Sequence, residues 1–593
     1  MAGYIGQILV ADLTKNETSV LKIDKALAAK YIGGSGYAAR LLYDSLDPTV
    51  DPLSPENMLV FMTGPLAGTQ APSTGRHVVC GKSPITHLWG ESHVGGHFGA
   101  NLKFAGYDGL LIKGRAEKPV TIHIENDEVR TLSAEHLWGK MTDSTQEALK
   151  EELGKVRVAC IGPAGENLVK FASVVTDERV SARCGLGAVM GSKNLKAIAV
   201  RGNRRVPLYA PEEFTELAQT SRKTLAEAML HLREQGTMMY VDIGMMFNDM
   251  PIKYFQEIEF EDSDLINANA MNEILTGRTA CYSCPIGCGR KVSIPEYDLV
   301  DIGGPEFQTV ASFGSNLLIS DLKKIAVMNR LCNQYGMDTI SCGSTISFTT
   351  HLCDIGKADY GYTWNNPDGV IDTIHSIAKR EGLGDLLAEG ALAVARKHSA
   401  EDIVLHVRGL EIPNHDPRAF SGMATVYTIA SRGASHMEGD MYSVDMGADV
   451  RVLGITSGDR LENEHKGMIA AKAQEFRAFF DSVIMCHFAI VPPETIVELL
   501  NLATGSSYRL EDILTIGARA VTMKRLFNLR CGLKTSDEKL PAPLLIPHAE
   551  SVTDDFVPDV EAQLNEYYVY RKWDRETGTP TDDALSELDM TDL

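Results

Sequence analysis

The chain is poor in positive charge and in cysteine, and it has no long apolar run. Lysine and arginine number 57 against 79 acidic residues, a formal charge of −22 over 593 residues. That deficit excludes nucleic acid as the main ligand, because binders of a phosphate backbone present a basic face. No apolar stretch reaches the roughly 18 residues needed to cross a bilayer, so no membrane span is expected. The start, Met1-Ala-Gly-Tyr-Ile-Gly-Gln-Ile-Leu-Val-Ala-Asp, lacks the charged and then apolar segments of a secretory signal, and a cytoplasmic protein is expected. Eleven cysteines are too sparse for a disulfide scaffold, and an odd number cannot all pair. In a reducing compartment, cysteines that do cluster are expected to hold metal.

What is present suits a globular protein. The chain is 44% hydrophobic and 23% charged, and it is long enough for about two to four packed units. The first two hundred residues read as strands: Gln7–Asp12 and Ser19–Ile23 across a polar turn, and a hairpin over 120–132 around Asn126-Asp127. Short apolar strands follow near Val156 and Ala197. Glycine-rich loops begin at Gly33, Gly95, Gly185 and Met190, and such loops suit a phosphate-bearing cofactor because backbone N–H groups approach closely there. After Pro207 the apolar spacing turns helical, from Pro211 through Leu225, Met229 and Leu232, and again over 322–335, 370–380 and 470–480. Pro413 and Pro417 interrupt it. The expected fold is α+β: a β-rich domain over 1–207, then mainly helical domains over 208–405 and 406–593. The acidic tail after Pro580 is expected to be loosely held or to lie on a partner.

The sharpest local signal is Cys281-Tyr-Ser-Cys284-Pro-Ile-Gly-Cys288. Three closely spaced thiolates with a distant fourth fit iron–sulfur ligation better than zinc, which favours two paired knuckles; structural zinc and redox thiols remain alternatives. Cysteines 80, 160, 184, 332, 342, 353, 486 and 531 remain, and composition does not choose the fourth ligand among them.

Several longer strings carry a resemblance. They are Asp51-Pro-Leu-Ser-Pro-Glu-Asn, Gly64-Pro-Leu-Ala-Gly-Thr-Gln-Ala-Pro, Leu102-Lys-Phe-Ala-Gly-Tyr-Asp, Ile161-Gly-Pro-Ala-Gly-Glu-Asn, Gly187-Ala-Val-Met-Gly-Ser-Lys-Asn-Leu-Lys-Ala and the cysteine string itself. Together they resemble the tungsten-dependent aldehyde:ferredoxin oxidoreductase family, from near residue 4 to about residue 575. The resemblance implies a β-rich base under two helical domains, a bis-pterin tungsten (or molybdenum) cofactor and one [4Fe–4S] cluster. It also implies a magnesium ion between the pterin phosphates, where present. In the family a fourth cluster cysteine ends an Asp-x-x-Gly-Leu-Cys pattern; Asp481-Ser-Val-Ile-Met485-Cys486 matches it, which makes Cys486 the fourth ligand. Asn333-Gln-Tyr-Gly-Met337-Asp338 matches the sister pattern, and both segments would hold a pterin edge. Arg76 would lie between pterin and cluster. His93 and Gly95 would meet cofactor phosphates, with Arg179 and Arg183 at basic positions nearby and Arg432 at a further pterin contact.

Two departures bear on the chemistry. A family His-x-Lys is here His436-Met437-Glu438, and the acid should repel a phosphate that lysine would attract. His436 would stand beside the metal as hydrogen-bond donor or proton shuttle. The family's Gly-Pro-Glu-aromatic-Glu is here Gly304-Pro-Glu306-Phe-Gln308, and an amide cannot act as a general base. Gln308, Glu306 and Tyr427 complete the candidate catalytic set. Three functions follow. The leading one is an aldehyde–carboxylate oxidoreductase passing electrons to ferredoxin or an iron–sulfur subunit. The second is the tungsten subunit of an aryl- or enoyl-CoA thioester reductase. The third is a non-catalytic electron-transfer subunit. Some relatives dimerise through an iron held by Glu-x-x-His; here the segment is Val327-Met-Asn-Arg330, so a homo- or hetero-oligomer would form without that metal.

Overall fold

The computed structural model describes residues 1–549, 551–553 and 555–593. Strands β1 (Gln7–Asp12), β2 (Glu17–Lys22), β3 (Leu59–Met62), β4 (His77–Lys82), β5 (Trp89–Val94) and β6 (Gly109–Lys113) form one sheet, in the order β2-β1-β6-β3-β4-β5. A second sheet contains β7 (Val120–Glu125), β8 (Glu128–Ser133), β9 (Arg157–Cys160), β10 (Val174–Thr176), β11 (Arg179–Ser181) and β12 (Leu195–Arg201), in the order β11-β10-β9-β12-β7-β8. The hairpin β7–β8 turns at Asn126, whose φ of 51° is the left-handed value asparagine tolerates.

The two-residue period of a strand explains how the first sheet is covered. Leu9, Phe61, Val79 and Leu110 point to one face and pack with Ile122, Ile124, Ile198 and Val200 of the second sheet. Their neighbours Ile8, Val60, Val78 and Leu111 point to the other. There they meet Ala38, Ala39 and Leu42 of the helix Gly34–Ser45, and Met523 and Phe527 of the helix Asp512–Arg530. The chain from Pro211 onward is mainly helical, and one apolar core runs through it from Phe214 to Leu544. The acidic tail is not loose. Met590 is fully buried in the N-terminal core, and Asp589 and Asp592 pair with Lys30 and Arg40 at 2.9 Å each.

Several recurrent strings prove to be structural. Lys103 is wholly buried, and its Nζ donates to Asp108 Oδ1 (2.8 Å) and to the carbonyls of Gly3 and Gly64 (2.9 and 3.2 Å). The amide of Asn57 closes its loop on the carbonyls of Pro52 and Lys82. The amides of Gly33 and Gly34 donate to the carbonyls of Tyr31 and Thr63 (2.7 and 2.9 Å), and the glycines let two backbones touch. A Cβ on Gly34 would lie 2.1 Å from the carbonyl oxygen of Asp481, and one on Gly64 would lie 2.5 Å from that of Val483. Only glycine allows the base domain to press against the helix Lys466–Val483, which leads into Cys486. Gly34 also has a φ of +44°. Gly34→Ala is therefore expected to destabilise the protein by roughly 3 kcal/mol or more, from left-handed strain plus overpacking. Thermal unfolding checks this: the midpoint should fall, because the helix that leads into Cys486 would be displaced.

Candidate metal and cofactor site

A three-stranded sheet that helical periodicity did not reveal frames the cysteine string. Its strands are β13 (Leu275–Thr279), β14 (Gly289–Ile294) and β15 (Leu299–Gly303). The alternation Lys291-Val292-Ser293-Ile294 was the available signal. Antiparallel pairing of β13 with β14 clamps the loop carrying Cys281, Cys284 and Cys288. Ser283 and Gly287, at φ of 53° and 63°, turn the loop on itself. Tyr282 N–H donates to Gly96 O (2.9 Å), and Ser73 N–H donates to Ser283 O (2.9 Å).

The fourth thiol arrives from another element. The helix Lys466–Val483 ends at Ile484, whose φ is 65°. That left-handed cap is the conformation for which glycine is suited, and a β-branched residue there costs on the order of 1–2 kcal/mol. The turn delivers Cys486, whose N–H donates to the carbonyl of Ser73 (3.0 Å). Ser73, which the sequence did not mark, thus holds both thiol segments. Its hydroxyl also donates to Cys284 Sγ (3.4 Å). Cys281, Cys284, Cys288 and Cys486 are unpaired and half-buried, and all line one cavity of about 300 Å³. Arg76, His93, Gly95, Arg179, Glu306, Asn333 and Met337 line the same cavity.

Arg76 joins the two halves of the site. Its Nη1 donates to Cys486 Sγ (3.1 Å) and its Nη2 to the carbonyl of His93 (3.4 Å). Arg179 lies beside the thiols, with Nη1 on Glu306 Oε1 (3.1 Å). Burial opposes its charge, but Cys281 and Glu306 outweigh that and hold its pKa above the ordinary arginine value. Glu306 also accepts from Thr237 Oγ1 (2.7 Å). The Glu306 carboxylate is thus engaged at the thiol cavity.

Behind the cavity lies a buried polar network. Strand β5 presents Glu91 and His93 on one face, two residues apart. Glu91 accepts from Ser35 Oγ (2.8 Å), Trp89 Nε1 (2.7 Å), Lys524 Nζ (2.7 Å) and His93 Nε2 (2.5 Å). His93 Nε2 also lies 3.5 Å from Asp481, which pairs with His487 (2.9 Å). Burial would raise the Asp481 carboxyl, but His93 and His487 bring it down to about 2. Met485 is fully buried at the turn after Asp481. Arg183 pairs with Asp338 (3.2 Å), whose other oxygen caps the helix Thr339–Asp354. The Glu438 carboxylate is taken up inside the protein: it accepts from Ser431 N–H (2.8 Å) and lies 2.8 Å from Arg432. Lys524 and Glu91 were not legible as site residues, since their helix and strand patterns look like ordinary core.

His436 lies beside a second histidine. Its ring centroid is 5.4 Å from that of His415, which stacks on Tyr442 at 4.1 Å. Burial, then the charge of His415 and Arg183, holds its pKa well below the usual histidine value. Gln308 Oε1 accepts from Asn414 N–H (2.9 Å), while its Nε2 is buried without a partner among the described residues. Tyr427, the remaining candidate, lies on the helix Gly422–Ile429 that leads toward His436. It is fully buried, and its hydroxyl already donates to the carbonyl of His415 (2.9 Å).

Fold and site together define a class: a cofactor-dependent oxidoreductase with a β-rich base under a helical cover. The family models described as "Aldehyde ferredoxin oxidoreductase, N-terminal domain" and "Aldehyde ferredoxin oxidoreductase, domains 2 & 3" match residues 8–202 and 214–590. The chain belongs to the aldehyde ferredoxin oxidoreductase family. It is 37% identical to the tungsten-containing aldehyde ferredoxin oxidoreductase of Pyrococcus furiosus, over 100% of both chains, and 36% identical to that of Thermococcus kodakarensis, over 98% of both. It is 29% identical to an aliphatic sulfonate oxidoreductase subunit of Pyrococcus furiosus, over 99% of this chain and 97% of that one. Among solved structures, the active-site complex of benzoyl-coenzyme A reductase with 1,5-dienoyl-CoA superposes with a TM-score of 0.84 at 25% identity, covering 99% of this chain and 97% of that one. Membership implies a tungsten–pterin cofactor, and the residues present fit one. Arg183 Nε and Gln308 Nε2 are buried donors without a partner among the described residues; His487 Nδ1 is likewise unpartnered and keeps its lone pair, because Nε2 faces the Asp481 carboxylate. A Cβ on Gly95 would come within 2.6 Å of Cys281 Sγ, so glycine keeps that wall of the cavity clear. Among the described residues, no helix is long and apolar enough to cross a membrane.

Proposed function

We propose that the chain interconverts aldehydes and carboxylic acids in the cytoplasm. Electrons leave through one [4Fe–4S] cluster to ferredoxin or an iron–sulfur partner subunit. The observation that carries this reading is the convergence of four thiols from two segments on one cavity, with Arg76 bonded both to Cys486 and to the His93 carbonyl. Cys281, Cys284, Cys288 and Cys486 would hold the cluster; Asp481, Asn333, Asp338, Arg183 and Arg432 would hold a pterin–tungsten (or molybdenum) group, with magnesium near its phosphates. That group supplies the two-electron exchange. The chain's own side chains orient and donate: His436 offers a neutral imidazole to a carbonyl oxygen, and the free amide of Gln308 offers a second donor. The balance is RCHO + H₂O giving RCOOH + 2H⁺ + 2e⁻. The division into 1–207, 208–405 and 406–593 belongs to the same reading, as does assembly without an iron at 327–330, where Arg330 pairs with Asp143.

The second reading, a CoA-thioester reductase subunit, is favoured by Gln308 in place of a carboxylate and by the likeness to the benzoyl-CoA reductase complex. Metal analysis of anaerobically purified protein, followed by viologen-linked assays, separates the two. Aldehydes should reduce the dye in a tungsten-dependent manner. Failure with every aldehyde, combined with turnover of an aryl- or enoyl-CoA, would replace the first reading by the second.

A further inference from the structure

We propose that His415 is a second catalytic histidine, the base that takes the proton when water adds to the substrate carbonyl, and that Asp249 is its positioning residue. The proposal deepens the aldehyde reading and rests on it.

His415 sits in the loop between Pro413 and Pro417 and is 2% exposed. Its ring is clamped between Tyr442, Tyr240 and Phe307, at centroid distances of 4.1, 5.0 and 5.3 Å, and faces His436 at 5.4 Å. Its Nδ1 lies 2.6 Å from Asp249 Oδ2, and Asp249 is fully buried. The same oxygen accepts the hydroxyl of Tyr240 (2.8 Å), and Oδ1 accepts Asp416 N–H (3.0 Å). A carboxylate is acceptor-only, so Nδ1 must carry the ring proton in neutral His415. Nε2, on the opposite ring edge, therefore keeps its lone pair. This is the arrangement in which a carboxylate fixes the tautomer of a general base.

The position at 308 fits this assignment. An amide there cannot accept the proton of water. Its oxygen instead accepts Asn414 N–H and Asn414 Nδ2 (2.9 and 3.0 Å), which anchors the residue next to His415. Gln308 thus holds the loop of the base and turns its N–H₂ free. Tyr427 adds a second anchor through the His415 carbonyl. The other titratable and charged groups on the elements around the ring are Tyr240, Tyr442, His436, the Asp416–Arg418 pair with His548 at 3.3 Å, Arg183, and Asp440 with Arg477. The phenols of Tyr240, Tyr427 and Tyr442 are pushed up by burial and stay neutral.

In the step itself the water oxygen bonds to the carbonyl carbon while one water proton passes to Nε2. The carbonyl oxygen takes hydrogen bonds from the donors opposite. When the C–H bond breaks, the cofactor would supply the acceptor for its electron pair, and its proton would pass to solvent. One acid, two protons and two electrons result, and the electrons leave for ferredoxin.

The test uses the holoenzyme and its His415→Gln and Asp249→Asn variants. Both should lose about 10²- to 10⁴-fold in kcat, and the pH profile of kcat/KM should lose its acid limb, with tungsten, iron and the cluster EPR signal as in the parent. Activity within threefold of the parent, or an intact acid limb in both variants, overturns the assignment. Neutron diffraction supplies a readout that does not depend on activity. A deuteron on Nδ1 and none on Nε2 is expected at neutral pD; a deuteron on Nε2 with Nδ1 bare overturns the proposal. If the parent oxidises no aldehyde, the aldehyde reading fails, while the neutron map still decides whether Asp249 sets the His415 tautomer.

Discussion

Cys486→Ser, purified without oxygen, is expected to lose its four-iron cluster or to keep about three irons in place of about four, and its ferredoxin- or viologen-linked turnover should fall at least 100-fold. The serine oxygen is a poorer ligand for iron than a thiolate, and Arg76 would lose the sulfur to which its Nη1 donates at 3.1 Å. The fold should survive. Cys486 is only half-buried, and its backbone N–H keeps the carbonyl of Ser73 whatever the side chain. Iron quantification, EPR of the reduced protein and a thermal melt together check this. An unchanged cluster signal would refute the ligand assignment, and a collapsed melt would show that the residue is structural.

His436→Gln should lower kcat/KM for aldehydes by about 10²- to 10⁴-fold while leaving tungsten and iron content unchanged. The sign of the pH effect follows from the environment. Burial, with the charge of His415 and Arg183, penalises the imidazolium, so the pKa in the folded protein lies below its ordinary value. The imidazole is then neutral throughout the range above pH 6.5, and the ratio of parent to variant rates should be flat there. Stopped-flow or steady-state rates across that range check it. A ratio that changes steeply above pH 6.5 would mean that His436 titrates in the working range and acts as a proton shuttle.

Much of this protein could be read from residue order, and what could not has a common cause. The hairpin around Asn126, the helices expected over 322–335 and 370–380 and found at Leu322–Tyr335 and Pro367–Lys379, and the triplet from Cys281 to Cys288 are local, set by dihedral preference and by spacing of a few residues. The sheet β13–β15 was missed because β13 and β15 are short and mostly exposed or half-buried and the cysteine loop separates β13 from β14. The partner of Glu306 could not be read from its string, because Arg179 reaches its carboxylate from a distant hairpin. Glu438 looked repulsive to a phosphate, and Ser431 and Arg432 take up its carboxylate.

Residue order alone determined the family, the α+β class and three of the four thiol positions, since each depends on short-range pattern. Composition left the fourth cysteine open, and family resemblance named it. Only tertiary structure decided how Cys486 reaches the other thiols, why Gly34 and Gly64 must be glycine, and which carboxylate stands behind a histidine near His436. Those facts arise where backbones from opposite ends of the chain meet within van der Waals distance. Asp249 and His415 are 166 residues apart and 2.6 Å from contact atom to contact atom, and no periodicity in sequence encodes a meeting at that range.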